Sequence, residues 1–308
     1  MTPHRSASAR TPTTSGIELT PRQIGAWRRR LAERLSVIRD LPWRETRDPW
    51  AILVSEVMLQ QTQVRRVIPA YERFLAAFPD PATCAEAGPG AVIQHWEGLG
   101  YHRRAVALHG AAALIVAEFD GAVPENLADL KRLPGVGDYT ARAVMAFAFE
   151  LDVAVVDTNV ARIVARAVVG RSLGAKDVQS LADALVTPGR GWEHNQAMLD
   201  FGAMTCASVP RCKGCPLRRS CSWASSGFAL PDPAVATAGT ARPQARFEGS
   251  DRQARGRVLA QARRGPLGAR AQRALAEELG DERCDRAIRG LLSDGLLCQN
   301  GRELALIS

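Results

Sequence analysis

Leu133-Pro134-Gly135-Val136-Gly137-Asp138-Tyr139-Thr140-Ala141 is the stretch on which the fold of this 308-residue chain turns. Pro134 ends the helix before it, and the two glycines tolerate the positive φ that a tight reversal needs. A new helix then opens near Asp138, and the N–H groups of its first turn have no partners within the helix. Such a hairpin offers backbone donors and a positive helix end to a phosphate, which makes Leu133, Gly135, Val136 and Gly137 candidate phosphate contacts. The same glycine pair also serves an ordinary helix–helix turn, and the stretch alone leaves both readings open.

Helical patterns extend on both sides. Ile24, Trp27, Leu31, Leu35 and Ile38 recur at helical spacing until Pro42 interrupts them. Asp48-Pro49 has the character of a helix start and opens residues 51–78 as one helical segment. Further helices are predicted over residues 91–96, 101–118, 127–130, 138–149, 159–169, 175–185 and 192–204. No run of alternating strands precedes residue 224, so the fold class is all-α. Residues 225–246 form a Pro/Ala/Gly linker. Residues 247–308 then carry three short helices and a hairpin with Asn300-Gly301 as its turn, which suits a small winged-helix-like module. The first eighteen residues are Ser/Thr/Pro-rich without an apolar core segment, and read as a disordered tail rather than a signal peptide. No apolar run approaches the roughly 18 residues of a membrane span, so no membrane partner is expected and the chain is placed in the cytoplasm.

Four of the seven cysteines lie close together, as Cys206-Ala-Ser-Val-Pro-Arg-Cys212-Lys-Gly-Cys215-Pro-Leu-Arg-Arg-Ser-Cys221. In a cytoplasmic protein this clustering argues for a metal centre rather than disulfides. Four thiolates without histidine suit either a [4Fe–4S] cluster or a structural Zn²⁺. Cys84, Cys284 and Cys298 stand apart and read as small buried hydrophobes.

Two carboxylates draw notice. Glu56 lies within Ile52-Leu53-Val54-Ser55-Glu56-Val57-Met58-Leu59, where burial would favour its protonated form and suit it to general-acid work. Its other reading is a glutamate on the solvated side of a helix. Asp157, in Ala154-Val155-Val156-Asp157-Thr158-Asn159-Val160, follows an apolar run and begins a helix. It reads first as an N-cap, since Asp, Thr and Asn are all common there, and an aspartate in this place can at the same time face a developing cation. The net charge of +8 suits a polyanionic partner, and only three of the 40 basic residues are lysines: Lys131, Lys176 and Lys213.

Acid, glycine hairpin, aspartate and cysteine knot, in this order, resemble the endonuclease III superfamily of helix-hairpin-helix DNA glycosylases over residues of about 20–224. Within it the chain is most similar to the adenine DNA glycosylase (MutY) family, in a short actinobacterial-like form. The matching stretches are Leu41-Pro42-Trp43-Arg44, Ser55-Glu56-Val57-Met58-Leu59-Gln60-Gln61-Thr62-Gln63-Val64, Gly98-Leu99-Gly100-Tyr101 and Val156-Asp157-Thr158-Asn159-Val160. The resemblance implies a two-lobed fold, with a six-helix barrel lobe over about residues 46–157 and a [4Fe–4S] lobe from residues 19–45 and 158–224. It implies a monomer associated with the nucleoid through double-stranded DNA carrying A·8-oxoguanine or A·G mispairs. Glu56 would protonate the adenine, Asp157 would stabilise the sugar cation and Asn159 would support it. Gln61 and Tyr101 would wedge into the base stack, and Trp43 and Arg44 would line the adenine pocket. Cys206, Cys212, Cys215 and Cys221 would hold a [4Fe–4S] cluster that turns the basic loop with Arg211 and Arg218 towards DNA phosphates. Tyr139 stands where strand-cleaving relatives carry a lysine, so base excision without an efficient lyase step is expected.

The chain departs from the family in two places. The first cysteine interval is a residue shorter than usual, and the C-terminal segment is too short and too helical for the NUDIX-like domain of longer members. A thymine-mismatch or oxidised-pyrimidine glycosylase on the same scaffold is the alternative enzyme reading. A non-catalytic Fe–S DNA-binding protein is the alternative outside enzymology. Glu56 disfavours the thymine-specific reading, because those relatives lack the proton-donating glutamate.

Overall fold

A computed structural model describes residues 19–237 and 246–307 of the chain. The predicted tail over residues 1–18 and the linker's residues 238–245 lie outside the described residues. The chain runs through α1 (Pro21–Arg34), α2 (Pro49–Leu59), α3 (Val64–Ala77), α4 (Pro81–Glu86) and α5 (Gly88–His95). It continues with α6 (Arg103–Glu118), α7 (Leu127–Leu130), α8 (Asp138–Phe147) and α9 (Thr158–Ile163), which passes into a π-helical turn at Val164–Val169. Then come α10 (Ala175–Leu185), α11 (Gly191–Met204), α12 (Ser222–Ser225), α13 (Asp251–Ala262), α14 (Ala269–Leu279) and α15 (Asp281–Ser293). The only strands among the described residues, β1 (Leu297–Asn300) and β2 (Glu303–Leu306), pair antiparallel at the end of the chain. The helical fold class is as the sequence indicates, and no helix among the described residues is long and apolar enough to cross a membrane.

The described residues fall into two compact units, a hairpin lobe of residues 40–149 and 246–307 and a cysteine lobe of residues 19–39 and 150–237. The centre of the hairpin lobe is α2. Asp48 caps it by accepting from Trp50 N at 3.0 Å, and Pro49 supplies the preset φ of the first helical position. Every residue from Trp50 to Met58 is buried, the sign of a helix enclosed on all sides. Ile52, Leu53, Val54 and Met58 share the core with Phe74, Ile93, Trp96, Leu108 and Ile115. At the hairpin, Gly135 has φ +79°, and a Cβ there would lie 2.9 Å from Ala107 Cβ on α6. Glycine is therefore required twice over, by backbone conformation and by close packing.

Three sequence expectations need correction here. The first is the extent of α1, which ends at Arg34, with Leu35 extended (ψ 145°), rather than running on to Pro42. Residues 51–78 are two helices rather than one, because the chain breaks at Gln60–Gln63 and Gln61 takes a left-handed conformation (φ 55°). The apolar periodicity runs through the break and hides it. The C-terminal hairpin turns one residue later than predicted: Asn300 still pairs with Glu303, and Gly301 (φ 63°) and Arg302 make the turn. In the same segment α13, α14 and α15 enclose Val258, Leu259, Ala287 and Leu291, and Leu267 bridges to Leu304 beside the hairpin.

In the cysteine lobe, Val155, Ile163, Val164, Leu185, Met198 and Leu217 are buried. The fully buried Asp200 of α11 accepts from the backbone N–H groups of Ile38 and Arg39 and pairs with Arg39 Nε at 2.5 Å. That carboxylate ties the segment after α1 to α11. Asp232, Ala234 and Thr237 also pack into this lobe, so part of the Pro/Ala/Gly stretch is built into the fold.

Candidate active site and cysteine centre

Glu56 sits on α2 with 5% of its surface exposed, so the solvated-face reading of this residue does not hold. A glutamate is rarely enclosed without a reason. Four residues on, Gln60 closes the helix and its Nε2 donates to Thr140 Oγ1 at 3.2 Å and to Gly135 O at 3.4 Å. The helix bearing the candidate acid is thus tied at its end to the glycine hairpin. In the hairpin itself, Leu133 and Val136 are 2% and 7% exposed, which leaves only their main chain to meet a phosphate. Gly137 caps α8 without a side-chain hydrogen bond, so no N-cap side chain occupies the first-turn N–H groups. Tyr139 is half-buried in that first turn. Lys131 is paired with Asp138 at 2.6 Å, a contact that holds the Asp138 carboxyl below its usual range.

Gln61 and Tyr101 share an uncommon conformation, with φ of 55° and 49° in two different loops. One guanidinium secures both loops. Arg104 Nη1 donates to the carbonyls of Val57 (2.8 Å), Met58 (2.9 Å) and Gln60 (2.6 Å), where α2 ends. Its Nη2 donates to Thr62 Oγ1 at 3.0 Å, Gly100 O at 3.1 Å and Leu99 O at 3.4 Å. The group also lies over the Trp96 and Tyr101 rings, and burial lowers its pKa to about 10. Arg66 adds a bond to Gly98 O. Elsewhere in the lobe, Trp43 and Arg44 occupy a buried 3-10 turn, and Trp43 meets Tyr71 edge-on at 5.6 Å between centroids.

In the cysteine lobe, Asp157 is the N-cap of α9, as one of its two readings required. Its Oδ1 accepts from Asn159 N at 2.7 Å and Val160 N at 2.8 Å, and its Oδ2 from Asn159 Nδ2 at 2.5 Å. Burial raises its pKa, and these hydrogen bonds and the nearby Arg162 oppose that shift. Asn159 Oδ1 accepts from Arg162 Nη2 at 2.5 Å, and Arg162 Nε donates to Cys206 O at 3.1 Å. A continuous polar chain therefore joins Asp157 to the first cysteine. Gly202 makes it fit, since a Cβ there would stand 2.5 Å from Asn159 Cβ and 2.9 Å from Asn159 O.

Cys206, Cys212, Cys215 and Cys221 line one cavity with about 390 Å³ of empty space, counting its solvent-open part. The shortened first interval still brings all four thiols to this cavity. Arg166, from the π-helical turn, organises the first loop: it pairs with Asp232 at 2.5 Å and donates to Ala207 O at 2.7 Å and Ser208 O at 3.1 Å. Arg211 and Arg218 are exposed and line the same cavity, with Arg218 Nη1 donating to Cys212 O at 3.3 Å. Among the described residues, no group of three or more His, Cys, Asp or Glu is arranged to hold a metal ion.

Arg104, Arg162 and Arg166 went unnoticed in the sequence. In a chain this rich in arginine nothing local separates a structural guanidinium from a solvated one. Position relative to Tyr101 and Asn159, three residues away in two of these cases, is the only signal that the sequence offers for them.

The profile of the HhH-GPD superfamily of base excision DNA repair proteins matches residues 54–198. The chain is 42% identical over 268 residues to the adenine DNA glycosylase of Mycolicibacterium smegmatis, an alignment that spans 85% of this chain and 88% of that one. Identity to the adenine DNA glycosylase of Mycobacterium tuberculosis is also 42%, over 84% of this chain and 86% of its relative. Among solved structures, a thermostable thymine-DNA glycosylase superposes with a TM-score of 0.61 at 28% identity, over 67% of this chain and 98% of that one. On this similarity, spread over most of both chains, the protein belongs to the adenine DNA glycosylase family of the HhH-GPD superfamily of base excision DNA repair proteins.

Proposed function

We propose that the protein removes adenine mispaired with 8-oxoguanine or guanine from double-stranded DNA, as a monofunctional glycosylase. The target nucleotide leaves the stack and the enzyme hydrolyses its N-glycosidic bond. Glu56 donates its proton to the adenine ring at N7, so that the base departs neutral and the bonding electrons leave with it. Asp157 stabilises the oxocarbenium-like sugar, and water adds at C1′ while its proton passes to a carboxylate. Asn159 holds Asp157 in place. Gln61 and Tyr101 fill the space beside the opposite base, and Trp43 and Arg44 belong to the adenine pocket. The main chain at Leu133, Gly135, Val136 and Gly137 and the exposed Arg211 and Arg218 bind phosphates. Tyr139 cannot form a Schiff base, and the abasic strand stays intact.

The observation that carries this reading is Glu56, 5% exposed, enclosed in a helix whose other buried residues are all apolar except Ser55. The four-thiol donor set around one cavity fits a [4Fe–4S] cluster, whose thiolates surround a cage rather than meet on one ion. Cys206, Cys212, Cys215 and Cys221 would hold it, and it would cross-link the loop that carries Arg211 and Arg218. The C-terminal segment acts as a winged-helix-like module.

A panel of duplexes with A·8-oxoguanine, A·G, A·C and T·G pairs tests the assignment. Free adenine is expected from the first two, with strand breakage only after alkali. Release of thymine instead, or of no base from any duplex under single-turnover conditions, would contradict it.

A further inference from the structure

We propose that Phe247 and Arg252 extend the Tyr101 wedge into a second DNA-contact site, which takes a nucleotide of the strand opposite the extruded base. The inference rests on the reading of Tyr101 as a wedge and goes beyond it, to a segment outside residues 54–198 matched by the family profile. Arg252 Nη1 donates to Tyr101 Oη at 3.0 Å, and its Cζ lies 6.0 Å from the centroid of the Phe247 ring. Tyr101 and Phe247 are 40% and 57% exposed, so two large, solvent-exposed aromatic side chains meet one guanidinium, Tyr101 through its hydroxyl and Phe247 through its ring. Alternation of aromatic faces with a cation is the pattern on which bases stack and backbone phosphates are neutralised. A duplex fits it better than an acidic protein does, because an acidic peptide needs the cation and leaves the two exposed aromatic side chains unexplained.

The strip is also held in a way that suits a binding surface. Arg263 reaches Glu97 at 3.3 Å, and Asp294 pairs with Arg255 and, at 3.7 Å, with Arg103. These ion pairs fasten α13 and the chain after α15 to the elements on both sides of Tyr101. Arg252 occupies the first turn of α13, where the helix dipole is positive and a cation is least welcome. Asp251 offsets part of this.

The test uses the full chain and a duplex with a non-hydrolysable 2′-fluoro adenosine opposite 8-oxoguanine. Phe247→Ala and Arg252→Ala are each expected to weaken binding about tenfold, the effect of losing one stacking or cationic contact. Arg252→Ala should also lower the slope of log Kd against log salt by about one. Arg252→Lys and Phe247→Leu, chosen to preserve folding, should lie between parent and alanine variants, with melting temperatures checked for all. Weakened binding by both alanine variants supports the strip whatever Tyr101→Ala does. Loss in Tyr101→Ala alone overturns the strip and leaves the wedge reading standing, and parent-like binding by all three overturns both.

Discussion

A single guanidinium, that of Arg104, decides where α2 stops and how two loops bend. It meets the last carbonyls of α2 and the loop before α6 together, and both loops contain a non-glycine residue at positive φ. Lysine at this position keeps the charge but cannot fork between two loops. Arg104→Lys should therefore cost about 2 kcal/mol of stability, as loss of charged hydrogen bonds does. It should weaken discrimination of A·8-oxoguanine from A·C by more than it slows adenine release at saturation. Single-turnover rates and Kd values on the two duplexes, with urea unfolding, check both. Glu56 shows what was legible at this scale: apolar neighbours on either side raise the enclosed acid as one of two readings, and its burial decides between them. Arg104 was not legible, because its partners are backbone carbonyls, and carbonyls leave no trace in a sequence.

Among the elements, legibility followed the same division. Helix periods, the glycine hairpin and the cysteine spacing are local patterns, and α6, α7, α8, α10 and α11 appear close to where those patterns place them, whereas α4 (Pro81–Glu86) carried no periodic pattern that foretold it. The break between α2 and α3 is a tertiary effect, set by Arg104 and by the left-handed Gln61, and apolar periodicity ran straight across it. The approach of α11 to α9 was equally hidden, since it depends on Gly202 having no side chain beside Asn159. Gly202→Ala should push Asn159 away from Asp157 and destabilise the protein by about 1–3 kcal/mol through overpacking. The adenine excision rate should fall at least tenfold while mismatch binding changes little. Thermal melting and single-turnover kinetics of the variant separate these effects, and parent-like values in both would show that α11 yields without disturbing Asp157.

Across the whole molecule, each unit holds a histidine whose surroundings lower its pKa, His102 buried and His194 half-buried. Burial and the neighbouring Arg263, Arg104 and Arg255 lower the His102 pKa to about 4. Burial and Arg28 lower that of His194 to about 4, against the opposing field of Asp152. Unfolded histidine has a pKa of about 6.5, so the unfolded chain takes up protons first as pH falls. Stability should thus be complete above about pH 6.5 and decline towards pH 4, by up to about 3 kcal/mol for each histidine. Urea titrations between pH 7 and 4 test this, and His102→Gln should flatten its share of the slope. The account as a whole depends on Glu56 as the proton donor and on Asp157 as the stabilising carboxylate. The most direct measurement is single-turnover release of adenine from an A·8-oxoguanine duplex by Glu56→Gln, with binding to the same duplex measured alongside. The account predicts release slowed by at least about a thousandfold with Kd within a few-fold of the parent. Release at the parent rate would contradict it.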